Sequence, residues 1–396
     1  MKKKSVFSRV VAWIHLWPSL VAAVLLVFIS LTGTIIVFAD EILNLSAGEA
    51  RYVENNGQEK LPFEILLSAY RSTYPKRNDP GYAVIYKEKN RSVRLNSYDK
   101  ETGLSFVYMD PYTGEVLKED GTIYFFYIVA HLHGMLLWHG VGEWIVAICT
   151  IVFLIELITG LILWWPKKWT KSTRNASFKI KWDAKFKRLN YDLHNVLGFY
   201  SLALGIVLSV TGLIIAFKPI ADITLNSFGG ESERTWEESL PESRPGKTPV
   251  NLFGAIDKHF AEQTWAKEAQ VRTYFTQKEG YYLFSLSRQV GLKSCDGFFP
   301  VFVDKYSGQE LIPTKEAKAN IKIDNVYWSL HMGTWFGLIG KISTFIAGII
   351  GTTLPITGFL IWWGRRKKKK TGGKTTSTNT PKKKNSRTKV KIPANT

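Results

Sequence analysis

The 396-residue chain lacks the short motifs that identify several large enzyme classes. It contains no G-x-G-x-x-G after a predicted strand, no Walker A loop, no H-E-x-x-H and no G-x-S-x-G. The first two motifs bind dinucleotides and nucleotide phosphates, and the other two provide a zinc site and an activated serine. The sequence therefore has no evident site for nicotinamide, ATP or hydrolysis, and any reductant must come from another molecule.

Cysteine is also scarce, with two residues in the whole chain. Cys149 lies within an apolar stretch and Cys295 within a polar segment that we place outside the membrane below. Because the two thiols belong to different environments, no structural disulfide is expected.

Charged residues are almost absent from four stretches of about 25 residues each, which are Val10–Phe38, Val141–Trp165, Leu193–Phe217 and Leu338–Trp363. A helix rises ~1.5 Å per residue, so ~20 apolar residues cross the hydrocarbon core of a bilayer. Each stretch is therefore a candidate transmembrane helix, which excludes a soluble enzyme. The first stretch is longer than the ~7–15-residue core of a signal peptide and lacks a cleavage site before Asp40, so we expect it to remain as a spanning helix.

Acidic residues are nearly missing from three basic segments, 1–9, 166–190 and 364–396. Together these segments contain 26 Lys and Arg and one acid, Asp183, which gives a net charge of +25. Since the whole chain carries +19, the remainder carries −6. Short loops rich in Lys and Arg stay in the cytoplasm, so we expect both termini and the 166–190 loop inside and the two long polar segments outside.

The basic C-terminal tail is interpreted as a disordered segment that meets anionic membrane lipid, and nucleic acid is not an expected partner. The predicted order is a cytoplasmic N-terminus (1–9), a first span (10–38), an external domain (39–121), an interfacial helix and second span (122–165), a basic loop (166–190), a third span (191–217), a second external domain (218–327), a fourth span (328–363) and the tail (364–396).

An internal repeat relates the two halves of the chain. In each half, one histidine precedes a Thr-Gly pair by 17 residues, and a second histidine precedes another Thr-Gly pair by 26 residues. The four combinations are His15 with Thr32-Gly33, His194 with Thr211-Gly212, His133 with Thr159-Gly160, and His331 with Thr357-Gly358. One unit of helix, external domain and helix thus occurs twice.

The external segments repeat as well. Each begins with an amphipathic stretch, Pro62–Tyr74 or Val250–Trp265, and ends on a turn with Asp ahead of Gly, at 110–115 or 304–309. Between these lie alternating runs that predict strands at Tyr82–Tyr86, Val93–Tyr98, Leu104–Met109, Val271–Thr276, Tyr281–Leu286 and Pro300–Val303. The predicted fold is an integral membrane α-helical protein, with four transmembrane helices in a pseudo-twofold duplicated bundle and two small α/β extracytoplasmic domains.

Six of the seven histidines lie at predicted membrane boundaries. If the copies pack about a pseudo-twofold axis, His15 faces His194 near the cytoplasmic side and His133 faces His331 near the outer side. Two imidazoles from different helices in apolar surroundings suit the axial positions of a b-type haem. The sequence therefore predicts two haems, one per face, with irons on the order of 25 Å apart. No C-x-x-C-H occurs, so covalent attachment is not expected.

Three further residues leave alternatives open. His131 and His139 have no counterpart in the second copy, and either is an alternative ligand to His133 or a group near the substrate. A zinc site from His131, His133, His139 and His331 is less favoured, because it leaves His15 and His194 unexplained. Glu156, an acid within a span, is either a proton relay or quinol contact, or a protonated acid bonded to a neighbouring helix.

The run from His15 to Phe38, the run Arg188–Tyr200, the helix starts Leu132-His133 and Leu330-His331, and the Trp-Trp exits resemble the PepSY-associated transmembrane helix family over residues 5–366. The external segments look like PepSY domains. The resemblance implies a bacterial inner-membrane oxidoreductase of the ferric-siderophore reductase type, whose helix-start histidines fall on His15, His133, His194 and His331. It also implies a cytoplasmic reductase or quinol as electron donor. The departures are His131, His139 and the lack of a cytoplasmic flavoprotein part.

Two other functions compete with a dihaem electron carrier. PepSY modules also occur as protease-regulating domains, so the chain is alternatively a non-enzymatic, membrane-anchored binding module. An uptake permease is disfavoured because no span is broken by Gly and Pro near its midpoint, with Pro355 alone interrupting the fourth.

Overall fold

A computed structural model describes residues 5–55, 57–233, 239, 248–274, 280–292, 295–315, 317 and 319–371. Most of the predicted basic tail, from residue 372 onward, lies outside this range. The helices that build the described part are α1 (Val6–Ile36), α2 (Ala39–Ala47), α3 (Phe63–Thr73), α4 (Thr122–Met135), α5 (Val141–Trp164), α6 (Lys171–Phe178), α7 (Phe186–Tyr200), α8 (Leu202–Ala216), α9 (Lys218–Ser227), α10 (Leu252–Glu262), α11 (Asn320–Met332) and α12 (Gly337–Thr371).

Three helical segments of the described residues are long and apolar enough to cross a membrane: α1, α5 and Thr334–Arg366. A fourth candidate is the bent pair formed by α7 and α8. Outward-facing side chains on α1 are apolar, with Val21 86% and Val24 81% exposed. Such a surface is unfavourable in water, but it is the expected one where lipid covers the helix.

The third predicted span differs from the expectation of an uninterrupted helix. Its two parts, α7 and α8, meet at Ser201 with a bend of 63°. A π-helical turn at Leu193–Leu197 precedes the bend, and such turns interrupt the regular hydrogen bonds of a helix. Pro355, by contrast, lies inside the continuous helix α12. The interpretation that no span is broken near its midpoint therefore does not hold for the third span, whereas the helix that contains Pro355 is continuous.

The strands of both external segments form one sheet. They are β1 (Tyr82–Tyr86), β2 (Val93–Asp99), β3 (Gly103–Met109), β4 (Val116–Asp120), β5 (Glu268–Arg272), β6 (Tyr281–Ser287), β7 (Gln289–Val290), β8 (Cys295–Asp296) and β9 (Phe299–Asp304). Seven of them follow the order β4-β3-β2-β1-β5-β6-β9 with antiparallel pairing throughout, and β7 with β8 forms a separate two-stranded ribbon.

The two external domains predicted from the sequence are thus joined into a single sheet. The joint is the pairing of β1 with β5, where Val84 lies opposite Gln270 and Ile85 opposite Ala269. Each copy alone would leave one of these strands as an unpaired edge, and pairing the two edges satisfies their backbone groups. The repeat in the sequence gave no information on this pairing, because it relates the copies without stating how they meet.

Both amphipathic helices cover the same face of this sheet. The rings of Phe63 on α3 and Phe253 on α10 lie 6.2 Å apart, and one buried core contains residues of both copies, including Leu66, Ile256 and Phe284. Helices α3 and α10 match the predicted stretches to within three residues at each end. The shared core therefore joins the two copies, in addition to the strand pairing.

The strand predictions agree with the structure in most places. The strand expected at Val271–Thr276 instead occupies Glu268–Arg272, and residues 273 and 274 are already helical. The structure also contains β4, which sequence alternation did not reveal because its two apolar residues, Val116 and Leu117, are followed by three charged ones.

The two turns with aspartate are structural, as predicted. Asp110 Oδ1 accepts hydrogen bonds from the backbone N–H groups of Tyr112 and Thr113, and Gly114 adopts φ +79°. Asp304 and Gly308, with φ +70°, repeat this arrangement in the second copy. The aspartates therefore complete the turns and are not free for catalysis.

Truncation of one core residue tests the fusion of the two copies. Phe284→Ala, on β6 and fully buried, should cost about 3–5 kcal/mol of stability, because it opens a cavity in the shared core. Hydrogen–deuterium exchange of the detergent-solubilised protein should then show faster exchange in β2 as well as in β6. Tyr98→Ala, at a 55% exposed position of β2, is the control and should change exchange little. Faster exchange confined to the second copy would argue for independent domains.

Candidate functional site: two histidine pairs

The structure brings His15 and His194 together at one end of the helices. His15 lies on α1 and His194 on the π-helical turn of α7, and their ring centroids are 6.3 Å apart with planes at 75°. We call these two residues the inner pair. Two elements from different copies of the repeat supply them, as the pseudo-twofold arrangement predicts.

His133 and His331 form a second pair, which we call the outer pair. His133 lies in the last turn of α4 and His331 in the last turn of α11, not at the helix starts expected from the sequence. Their ring centroids are 6.1 Å apart, with planes at 38°. The four residues of the inner and outer pairs are the paired histidines below.

The distance between the pairs follows from α1, which contacts both. His15 belongs to the inner pair, whereas His133 of the outer pair lies against Ile29 and Gly33 on the same helix. These positions are 14 and 18 residues after His15, so at ~1.5 Å per residue the pairs are about 21–27 Å apart along α1. The two pairs are therefore separate sites at opposite ends of the helices.

Each paired histidine rests against the glycine of a Thr-Gly pair on another helix. A Cβ atom added to the glycine would lie 2.7–3.2 Å from the imidazole Cε1, so any larger residue would displace the ring. The contacts are His15 with Gly160, His194 with Gly358, His133 with Gly33, and His331 with Gly212. The Thr-Gly pairs served in the sequence only to mark the repeat. Each Thr-Gly pair has a constant spacing from one histidine of its half and contacts the other histidine of that half. That constant spacing was the signal in the sequence that could have indicated this contact.

Three of the threonines also fix the proton on the imidazole. Each threonine hydroxyl donates to a backbone carbonyl four residues earlier, at 2.7–3.0 Å, and a carbonyl can only accept. The hydroxyl oxygen is therefore an acceptor toward the ring, and the Nδ1 atom must carry the hydrogen. The ring contacts are His15 to Thr159 at 3.1 Å, His194 to Thr357 at 3.0 Å and His331 to Thr211 at 3.0 Å.

His133 reaches the same state by a different contact. Its Nδ1 lies 2.9 Å from the carbonyl oxygen of Ile29, so Nδ1 again donates. All four paired histidines thus have a protonated Nδ1 and an Nε2 with a free lone pair. The neutral imidazole with Nδ1 bonded to the protein is the form in which histidine commonly binds a metal through Nε2.

Glu156 distinguishes the inner pair from its repeat-related environment. Its Oε2 lies 2.9 Å from His15 Nδ1, and the residue is 8% exposed. The second copy has Leu354 at the matching position, where the backbone carbonyl approaches His194 Nδ1 at 3.2 Å. Of the two alternatives for Glu156, contact with a neighbouring helix is thus present, and the partner is a histidine of the inner pair.

His131 and His139 have partners of their own elsewhere. His131 Nδ1 donates to the carbonyl of Tyr127 at 2.7 Å, and its ring lies 3.9 Å from the Tyr127 ring. His139 pairs with Glu143 at 2.9 Å, and its side chain is 87% exposed. In the part of the chain that the structure describes, no three His, Cys, Asp or Glu side chains are grouped to hold a metal ion, so the alternative zinc site is not assembled there.

A small polar cavity lies between α2, the β7–β8 ribbon and helices α11 and α12. Trp328 and Met332 of α11 line it together with Asp40 and Lys341. Asp40 Oδ1 accepts a hydrogen bond from the N–H of Leu292, and burial raises the pKa of Asp40 although Lys341 opposes this shift.

Comparison with known families agrees with these positions. The family described as the PepSY-associated TM region matches residues 12–365, a range that contains every paired histidine and every Thr-Gly pair. A search of curated proteins found no significant match.

The assignment of the proton on the paired histidines is testable without any ligand. Thr211→Val should remove the acceptor of His331 Nδ1–H, at a cost of about 0.5–1.5 kcal/mol, and shift its ring nitrogen resonances in solid-state NMR of the 15N-histidine-labelled protein. Thr150→Val is the matched control, because Thr150 bonds only its own helix, at Val146 O. An unchanged His331 signal in Thr211→Val would contradict the assignment.

Proposed function

Because this chain belongs to the PepSY-associated TM region family of membrane proteins, we propose that it carries single electrons across a membrane to a ferric chelate on the side of the sheet. The observation that carries this proposal is the assembly of four histidines into two pairs about 21–27 Å apart along α1. A single pair suits a binding site on one face, whereas two pairs at opposite ends suit transfer between faces.

Each pair is proposed to hold one b-type haem, with His15 and His194 as ligands of the first and His133 and His331 of the second. The ring separations fit this role. Metal–nitrogen bonds of about 2 Å, with about 1 Å from each nitrogen to its ring centroid, bring two axial imidazoles to roughly 6 Å, close to the observed 6.3 and 6.1 Å. A bound haem would supply a one-electron Fe(III)/Fe(II) couple.

The chain's own residues orient the ligands. The threonine hydroxyls and the Ile29 carbonyl hold the Nδ1–H groups, which leaves the Nε2 lone pairs for the metal. The glycines let each ring approach a helix backbone closely, so the ring orientation is fixed by packing.

The membrane arrangement is part of the same proposal. We place four spans in a pseudo-twofold duplicated bundle, counting α7 with α8 as one, in a bacterial inner membrane with both termini in the cytoplasm. The basic loops support this orientation. The packing of α1 on α5 and α12, and of α5 on α8, supports a single bundle.

The acceptor is proposed to be a ferric siderophore or another Fe(III) chelate, which takes one electron per iron and is reduced to Fe(II). The donor is a cytoplasmic reductase or a membrane quinol, which loses that electron. The acceptor would approach the outer pair from the side of the sheet.

An absorbance spectrum of the purified protein tests the cofactor. We expect a Soret band and two haems per chain, with one lost in the His15→Ala/His194→Ala variant and the other in His133→Ala/His331→Ala. His139→Ala is the control and should retain both haems, because its side chain is 87% exposed and pairs with Glu143. A wild-type protein without a Soret band would favour the binding-module alternative.

Transfer across the membrane is tested in lipid vesicles that contain the protein and a trapped reductant. An external Fe(III) chelate should be reduced faster than in protein-free vesicles. The rate is measured from the formation of a coloured Fe(II) complex. The His15→Ala/His194→Ala and His133→Ala/His331→Ala variants should each fall to the protein-free rate, because either loss breaks the route. Full activity in one of them would show that one pair is dispensable for transfer.

A further inference from the structure

We propose that Glu156 is a positioning residue of the inner pair: its buried carboxylate lies against the imidazole of His15 and lowers the reduction potential of the inner site relative to the outer one. This inference rests on the proposed function, since it concerns a haem held by His15 and His194. It gives a role to Glu156, for which the sequence analysis left two alternatives open.

The contact is direct and protected from water. Glu156 Oε2 lies 2.9 Å from His15 Nδ1, closer than the 3.1 Å to Thr159 Oγ1, and the side chains of Glu156 and His15 are 9% and 25% exposed. The Nδ1–H bonds to the Thr159 hydroxyl, and both carboxyl oxygens of Glu156 are buried without a hydrogen-bond partner among the described residues. A carboxylate in a membrane span is costly, so its position beside a ligand of the inner pair calls for a function.

The repeat provides an internal comparison. Glu156 precedes Thr159 by three residues, just as Leu354 precedes Thr357, yet Leu354 offers His194 only its backbone carbonyl. Among the described residues, the contacts between a histidine and a carboxylate are His15–Glu156, His139–Glu143 and His259–Glu310. The carboxylate contact is therefore made to one of the four proposed ligands.

The effect of this contact on the iron is electrostatic. A negative charge 2.9 Å from the imidazole, on a side chain that is 9% exposed, stabilises the more positive ferric iron. The inner site should therefore have a lower reduction potential than the outer site, so that an electron moving outward moves downhill.

The experiment compares the two midpoint potentials in three variants at one pH. Glu156→Leu copies the second half of the chain and should raise the inner midpoint potential, leave the outer one unchanged and weaken haem retention at the inner site by about 10–100-fold. Glu156→Gln keeps the size and an acceptor oxygen but removes the charge, so its inner midpoint should lie between those of the wild type and Glu156→Leu. Optical redox titration measures the midpoint potentials, and electron paramagnetic resonance of the inner haem measures how much haem that site retains.

Exchange of the two positions supplies a matched test. The double variant Glu156→Leu/Leu354→Glu moves the carboxylate from His15 to His194, the other ligand of the same haem, and should bring the inner midpoint potential back toward the wild-type value. An inner midpoint in Glu156→Gln and Glu156→Leu equal to that of the wild type would overturn the inference, even if thermal stability fell. A wild-type protein that binds no haem would instead overturn the proposed function, so the two failures are distinguishable.

Discussion

The four imidazoles approach the backbone of a neighbouring helix at positions where that helix has no side chain, and the rest of the site depends on this close approach. A Cβ atom at Gly160 or Gly212 would meet the ring at 3.2 or 3.1 Å, so at these sites the histidine, the glycine and the adjacent threonine form one unit. That unit fixes three things together: the separation of the two helices, the orientation of the ring and the nitrogen that carries the proton.

The same contacts hold together the two spans of each copy. His15 of the first helix is held by α5, and His194 is held by α12, so each ligand is oriented by a helix other than its own. The copies themselves meet where His15 approaches His194 and His133 approaches His331, and the pairing of β1 with β5 joins them within the sheet.

The sequence allowed a prediction of whatever depends on local pattern. Apolar length gave the candidate spans, alternation gave most strands, and the matched histidines gave pairs that the structure does bring together. The π-helical turn at His194 and the bend at Ser201 were not predicted, because the single glycine between them, Gly198, specifies neither feature and helix packing decides both. The single sheet was missed for a related reason: strand pairing between distant segments depends on tertiary structure. The contact of Glu156 with His15 joins residues 141 positions apart, which no local pattern encodes.

The central strand pair also has a consequence for how the chain is made. β1 ends at Tyr86 and its partner β5 begins at Glu268, so about 180 residues must be synthesised before β1 acquires its second neighbour. At about 5–20 residues per second, an incomplete sheet with an open hydrophobic edge persists for roughly 10–40 s on every new chain. During that interval the open edge of β1 is exposed to pairing with other nascent chains. This risk of aggregation ends when β5 pairs with β1.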